Sequence, residues 1–420
     1  MQKIFWICLF SIVCGLLVRI PIGGAGILLS DILLPIFAAL YCIQKVLIER
    51  SFPRVSFFGP GMFFLLFAFL SFFFGAWDLF FQERLLSFFY LIRFFSILVF
   101  GVATMDFLQT KNKEKQKIQR ELFFRNLLFV ASTVVLLGYL QFYLFPDIGD
   151  YSTVGGFDPH KGRLLGTWMD PNFLAGFLGF LLPVMFGKFY NSVSRLEKIK
   201  LGILILIFLY ALFLTFSRSG YLSLIVGMTF FFLFRDLKII LLGVVVAGFG
   251  LFTSERAQLR TIELVGTVKS IILQDTDEID PTASLRIESW SKSFELWKKY
   301  PLLGIGYNTY RFRAAKEGLV DEDFFSAGGS DSTFLTILVT TGIFGFVVFA
   351  YFYAVLWITN LRRFLQTKNE LYLGFVAGLS TMFVHSIFVN SFLFPHIFLV
   401  ILFVAGILEI PVLKKGISDK

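Results

Sequence analysis

Long apolar runs separated by short polar connections set the pattern of this chain. A run of about 20 apolar residues, at 1.5 Å of rise each, crosses the hydrocarbon core of a bilayer as a helix. Twelve runs approach that length: residues 4–20, 27–44, 57–75, 84–105, 122–145, 172–188, 201–216, 219–234, 239–253, 331–357, 371–389 and 396–413. The first carries one lysine ahead of it but no small-residue cleavage site after it, so it reads as a spanning helix and not a removable signal. Alternate connections are basic: Lys45/Arg50/Arg54, Lys111/Lys113/Lys115/Lys117/Arg120, Lys188/Arg195/Lys198/Lys200, Arg235/Lys238, Arg362/Arg363/Lys368 and the Lys414/Lys415/Lys420 tail. By the positive-inside rule these lie in the cytoplasm together with both termini. The outer side then receives residues 146–171, the short Ser217–Gly220 turn and the long 254–330 loop. The predicted architecture is an all-α integral membrane protein of about 12 transmembrane helices, a single polytopic domain over residues 1–420. Its one large extracytoplasmic loop, 254–330, carries short amphipathic helices. No internal repeat is visible, which disfavours the inverted-repeat plan of many transporters.

Composition supports the same class. With 57% apolar residues, 58 phenylalanines and 16% charge, and a mean hydropathy of +0.78, the chain has more hydrocarbon than one water-soluble core hides. The net charge of +9 is accounted for by the basic connections, so no nucleic-acid partner is implied. Cys8, Cys14 and Cys42 lie in or beside the first two apolar runs without metal-like spacing, and read as small packing residues. His160, His385 and His396 form no metal set by spacing. The acidic run Asp275, Asp277, Glu278 and Asp280 lacks the glycine and terminal glutamate of a calcium loop and reads as a solvated turn. Neither a metal nor a cofactor is expected.

Four places bear candidate chemistry. Arg218 is the only charge between Leu201 and Phe234. Either it snorkels from a hairpin turn into headgroups, or its guanidinium, charged at every relevant pH, clamps phosphate oxygens in pairs. Arg286 stands in a helix that Asp280 can cap and Pro281 can open, running to Tyr300 before Pro301 stops it. There Ile287, Trp290, Phe294 and Trp297 make an aromatic stripe suited either to packing under the loop or to a membrane surface. Arg163 precedes Asp170-Pro171-Asn172, which reads as a helix start. It is either a third phosphate contact or a solvated charge. Asp331 opens the 331–357 run, as an N-cap or as a base accepting a proton from a sugar hydroxyl.

Gly166 to Ala175 (GTWMDPNFLA), Leu214 to Gly220 (LTFSRSG), Arg286 to Tyr310 with Trp290 and PLLGIG, and Asp331 to Gly345 (DSTFLTILVTTGIFG) together resemble the O-antigen ligase and O-antigen polymerase family of bacterial envelope glycosyltransferases. The likeness covers roughly residues 160–350 in motifs and the whole chain in layout. It implies an inverting, metal-independent transferase in the bacterial inner membrane. The implied donor is a lipid-linked oligosaccharide on undecaprenyl diphosphate, the acceptor a glycan or lipid A core, and the reaction runs at the periplasmic face among membrane lipids. It matches Arg218 and Arg286 to the arginines that contact the diphosphate, with Arg163 and Trp290 as further substrate-binding candidates and Asp331 in the position of the base. Ligases usually place a histidine where this chain has Asp331, which tilts the reading from ligase towards polymerase. A lipid-linked-glycan flippase is the remaining alternative, and Arg93 within the fourth run is the feature that favours it.

Overall fold

The computed structural model describes residues 1–22, 25–149, 160–238, 258–259, 262, 281–319 and 329–410. It is a bundle of long helices with one small hairpin. Helix α1 (Gln2–Phe10) ends in a 3-10 turn at Ser11–Val13 and is followed by strands β1 (Arg19–Ile22) and β2 (Ala25–Leu28). Next come α2 (Leu29–Cys42), extended by a π turn over Ile43–Ile48, then α3 (Phe58–Gly75), α4 (Phe81–Leu108) and α5 (Lys113–Leu144). Helices α6 (Pro171–Asn191), α7 (Arg195–Leu214) and α8 (Arg218–Leu233) form the middle of the chain. The lobe contributes α9 (Pro281–Lys299) and α10 (Tyr310–Lys316). Helices α11 (Thr333–Thr367), α12 (Glu370–Phe388) and α13 (Pro395–Glu409) complete the bundle.

Among the described residues, seven helices are long and apolar enough to cross a membrane: α2 with its π turn, α3, α4, α5, α6, α11 and α12. Helix α1 with its 3-10 turn, α8 and α13 are shorter apolar helices. The expected run 239–253 and the acidic run 275–280 lie outside the described residues. Residues 4–20 do not form one span, as the apolar pattern suggested. The helix stops at Val13, and Arg19 to Leu28 pair as an antiparallel hairpin. Gly15 turns the chain there at φ +50, where a Cβ would collide with Thr167, and Pro21 and the β-branched Ile20, Ile22 and Ile27 favour strand over helix.

The alternation of basic connections has a direct structural counterpart. Lys45 pairs with Asp106, Lys188 with Glu121 and Glu197, Arg235 with Glu370 and Arg363 with Glu409. All these groups sit at one end of the bundle, where helices of opposite direction start and stop. The other end carries the hairpin, the 160–170 segment, the Thr215–Ser217 turn and the lobe. Helix α12 is the hub between α6 and α8, and small residues permit close approach there: Gly374 and Gly378 face backbone oxygens of α6, and Gly227 faces Thr381.

One break in a helix fixes the lobe. Helix α11 is interrupted at Gly342, with φ 64 and ψ −172, a conformation essentially reserved for glycine. The interruption releases backbone groups that hydrocarbon would leave unsatisfied, and the segment Pro301–Gly306 takes them up. Ile305 and Gly306 donate their N–H groups to Val339 O at 3.0 Å and Thr340 O at 3.1 Å, while Ile343 N donates to Pro301 O at 2.9 Å. Ser71 Oγ of α3 adds a hydrogen bond to Thr340 O at 2.5 Å. A Cβ at Gly75, Gly304 or Gly342 would meet neighbouring backbone in this junction. The sequence motifs PLLGIG and TTGIFG are thus two halves of one contact.

A second tie runs from the lobe to the α3–α4 connection. Arg313 of α10, 7% exposed in its side chain, donates to both oxygens of Asp78 at 2.7 and 2.8 Å and to Gly75 O at 2.6 Å, and Lys316 reaches Asp78 at 2.9 Å. Burial acts to raise the Asp78 carboxyl, but the hydrogen bonds from Lys316 and Arg313 outweigh it and hold the group below its ordinary value.

Two predictions follow from the junction and the tie. Gly342→Ala forces a side chain into the Leu302 backbone and a residue other than glycine into this conformation, and should cost at least about 1–3 kcal/mol. Gly59→Ala, with nothing within 4 Å, should not destabilise comparably. Thermal unfolding of the two variants in the same detergent checks this, and equal melting would refute the junction's importance. For the tie, a depressed carboxyl contributes stability that is present above its unfolded value of about 3.9 and is lost as pH falls through the lower folded value. Acidification below about pH 4 should therefore loosen the lobe to proteolysis. Arg313→Ala should loosen it already at neutral pH, by about 1 kcal/mol after solvent screening, and remove part of that acid sensitivity, the rest belonging to Lys316.

Candidate functional site

At the lobe end, four chain segments converge: the start of α6, the start of α8, the α9 helix and the Ser330–Thr333 entrance to α11. Asp170 caps α6 by accepting from Asn172 N at 2.7 Å and Phe173 N at 3.1 Å, with Pro171 at the first helical position, as the sequence indicated. Trp168 before it is fully buried and donates to Ile12 O at 3.2 Å.

Arg218 is the first residue of α8. The turn before it is tight: Phe216 has φ 48, and Ser217 caps the helix by accepting from Gly220 N at 3.3 Å. Arg163 braces this turn from the side. Its Nε donates to Thr215 O at 2.7 Å, and Nη2 lies 3.4 Å from both Phe216 O and Asn172 Oδ1. Arg163 is thus built into the support of the Arg218 turn, and is not simply a solvated loop charge.

Arg286 stands on α9, half-buried, within electrostatic reach of Asp331 and of His385 on α12. The same helix grips the Asp331 backbone from both sides. Asp331 N donates to Ser289 Oγ at 3.2 Å, and Trp290 Nε1 donates to Asp331 O at 3.3 Å. The indole N–H of Trp290 is therefore engaged in positioning Asp331, and its ring lies beside Phe388 with centroids 6.2 Å apart. Of the aromatic stripe on α9, Ile287 and Phe294 are exposed and Trp290 and Trp297 half-buried, whereas Ser293 and Leu296 beside it are fully buried. The face turned under the lobe is held by Ser293 Oγ, which meets Tyr310 OH at 2.8 Å.

The cap of α11 is Ser332, which accepts from Leu335 N at 3.4 Å, and not Asp331. Relieved of that role, the Asp331 carboxylate sits in a largely buried place where desolvation raises its pKa, Arg286 opposes the rise and Asp170 adds to it. A buried carboxylate beside a cation is suited to moving a proton.

One participant escaped the sequence reading. His385, fully buried, connects the segments through Nδ1 to Ser391 Oγ at 2.7 Å and Nε2 to Ser219 Oγ at 3.4 Å. From Ser219 the chain of contacts continues to Ser217 at 3.2 Å and from there to Asn172 Oδ1 at 2.9 Å. Its sequence signal was the Ser-x-Ser flanking Arg218 together with a histidine in an otherwise apolar helix, but nothing in the linear pattern joins the two. The structure thus gathers Asp331, Arg286, Trp290 and Asp170 in one neighbourhood, and links the Arg218 turn to it through Ser219 and His385.

Fold and site together define a multi-pass membrane protein with polar chemistry concentrated at one end. Residues 203–350 match the family described as O-antigen ligase, a stretch that includes Arg218, Arg286, Trp290 and Asp331. The match supports the O-antigen ligase/polymerase family that the motifs resemble. No curated protein matches the chain.

The His385 relay makes a prediction about architecture. His385→Leu leaves the Ser391 and Ser219 hydroxyls without their shared partner and should cost about 1–3 kcal/mol, read as earlier thermal unfolding. His385→Gln, which retains a donor and an acceptor, should recover part of that loss, and full stability in the leucine variant would remove the relay from the site.

Proposed function

We propose that the chain is a glycosyltransferase that joins glycan repeat units carried on undecaprenyl diphosphate, a surface-polysaccharide polymerase. The observation that carries this reading is the placement of Arg286 beside Asp331, at the end of the bundle where the Arg218 turn also lies. In the proposed reaction Arg218 and Arg286 hold the diphosphate and stabilise the charge that grows on it as it leaves. Asp331 takes the proton of the acceptor hydroxyl. The acceptor oxygen bonds to the anomeric carbon as that carbon's bond to the phosphate oxygen breaks. Attack from the face opposite the leaving group inverts the centre, and the proton now on Asp331 balances the step. Arg163 serves the site through the Arg218 turn, and Trp290 through the Asp331 backbone.

In this reading the lobe end is periplasmic, the salt-bridged basic end and both termini are cytoplasmic, and the chain crosses the inner membrane an even number of times, the seven long apolar helices among its spans. The ligase alternative shares the donor chemistry and differs in acceptor, lipid A core in place of a second repeat unit. The flippase alternative loses its main support, because Arg93 is neutralised by Asp31 through hydrogen bonds of 2.6 Å from both Nε and Nη2 and stacks over Tyr90 at 4.2 Å.

Purified protein given a lipid-linked repeat unit should elongate it. Arg218→Ala, Arg286→Ala and Asp331→Asn should each lower the rate by about 100-fold or more while inserting normally. Activity should fall on acidification through a carboxyl raised above the usual range, and this limb should vanish in Asp331→Asn. Occupation of Arg286 by the donor's negative charge removes the cation that opposes the rise at Asp331. The limb seen in kcat should therefore lie at higher pH than that in kcat/KM, which reports the free enzyme. Elongation unchanged by these substitutions would overturn the assignment, and transfer to added core lipid alone would select the ligase.

A further inference from the structure

A cavity of about 930 Å³ opens at the salt-bridged basic end of the bundle, between the first turns of α5, the α6–α7 connection and the α11–α12 connection. None of Arg218, Arg286 and Asp331 lines it. Its basic lining is Lys113, Lys117 and Arg120 from α5, Lys188 from α6 and Lys368 from the α11–α12 connection, set against the acids Glu121, Glu197 and Glu370. The acids are already engaged. Glu121 and Glu197 both pair with Lys188, and Glu370 pairs at 3.0 Å with Arg235, which is not a lining residue. Lys113, Lys117 and Lys368 therefore line the cavity with no acidic partner among the described residues. The end of the chain adds cations and not the missing anion, because residues 411–420 carry Lys414, Lys415 and Lys420 against one aspartate. Three lysines gathered in one cavity at a helix end suit a phosphate.

An apolar surface continues from the rim. Val193 lines the cavity and is exposed, and Leu196, Ile199, Ile203 and Leu206 follow it along α7 at spacings of three and four, all exposed. They form one stripe that leads from the cavity into the span. Ile118, beside Lys117 on α5, is exposed as well. Helices α5 and α7 meet further along, where Tyr139 OH donates to Ile207 O at 2.8 Å and the Tyr139 and Tyr210 rings stack at 6.0 Å, so the cavity lies at the basic end of the seam between them. A soluble phosphate needs the cations but no apolar rim, and an acyl chain needs the rim but no cations. A phosphate with acyl chains attached uses both. The volume is near the upper end of the about 300–1,000 Å³ typical of ligand sites, room for a phosphoglycerol headgroup.

We infer that this cavity is a headgroup site for an anionic phospholipid of the leaflet at the basic end, its phosphate held by Lys113, Lys117 and Lys368 and a chain laid along the apolar stripe of α7. The inference is independent of the transferase reading, and its test needs no turnover. Native mass spectrometry of the full chain, titrated in detergent with phosphatidylglycerol or with phosphatidylcholine of the same chain length, should show phosphatidylglycerol binding at least about tenfold more tightly. Lys113→Gln, Lys117→Gln and Lys368→Gln should each cut that preference by about twofold to fivefold and together abolish it. The Arg50→Gln/Arg54→Gln pair, which removes two cations from the α2–α3 connection outside the cavity, should leave it intact. Leu196→Gln/Ile199→Gln should weaken phosphatidylglycerol without changing the weaker binding of glycerol 3-phosphate. Equal binding of the two lipids, a preference that survives the triple lysine variant, or one that falls as far in the Arg50→Gln/Arg54→Gln pair would overturn the proposal. So would glycerol 3-phosphate binding as tightly as phosphatidylglycerol, since that identifies a soluble-phosphate site.

Discussion

The interruption of α11 at Gly342 is the constraint on which the site depends. A membrane helix that stops and restarts exposes N–H and C=O groups that nothing in hydrocarbon can satisfy. Here Pro301–Gly306 lies alongside the break and exchanges backbone hydrogen bonds with Val339, Thr340 and Ile343. The lobe is fixed to the bundle by main-chain pairing, which sets its position along α11 to within one residue. Because α9 leads directly into this segment, the same pairing aligns Ser289 and Trp290 with the Asp331 backbone and brings Arg286 near its carboxylate. The Asp78–Arg313 ion pair adds a second fixed point, and two points suffice to prevent the lobe from swinging about the first.

Most of the helical plan was legible because the apolar runs are long and their connections polar. The basic connections predicted which helix ends share a face of the membrane, and the ion pairs between those ends bear this out geometrically. Local rules also held where the signal was local, as in Asp170-Pro171 opening α6. What hydropathy could not show was backbone conformation inside an apolar run. The first apolar run, 4–20, reads as a span, but Gly15 turns the chain after Val13 and Arg19 to Ile22 pair with Ala25 to Leu28 as a hairpin. Gly342 within α11 gave no sign of a break, because its purpose is visible only once residues some forty positions earlier are laid against it.

The candidate site was legible in residue type and less so in role. Arg218 stood out as the one charge in a long apolar stretch, which is a physical signal independent of any partner, and Arg286 as a cation on an amphipathic helix of the polar loop. Arg163 and Trp290 also stood out, but each makes contacts that a linear pattern does not encode: Arg163 holds carbonyls of the turn before α8, and Trp290 holds the Asp331 carbonyl. Such contacts explain why a site at a membrane mouth can keep its geometry. Arginine and tryptophan are large enough to cross between segments, and each fixes a backbone atom and not a mobile side chain. His385 is the buried counterpart, joining α8 to the α12–α13 connection from beneath.

The aspartate at position 331 is the residue where sequence and environment pull in different directions. An unperturbed carboxylate, with a pKa of about 3.9, is a weaker base than an imidazole of about 6.5, so in water the exchange of histidine for aspartate would sacrifice basicity. Burial reverses part of that difference, because removal from water disfavours the ionised form and raises the group's affinity for a proton. Asp170 acts in the same direction and Arg286 against it. In the proposed reaction an arginine that holds a diphosphate therefore has a cost at the neighbouring base, and a negatively charged donor cancels that cost on arrival. Histidine would respond oppositely to burial, becoming harder to protonate, so the same partly closed pocket that strengthens an aspartate as a base would weaken an imidazole.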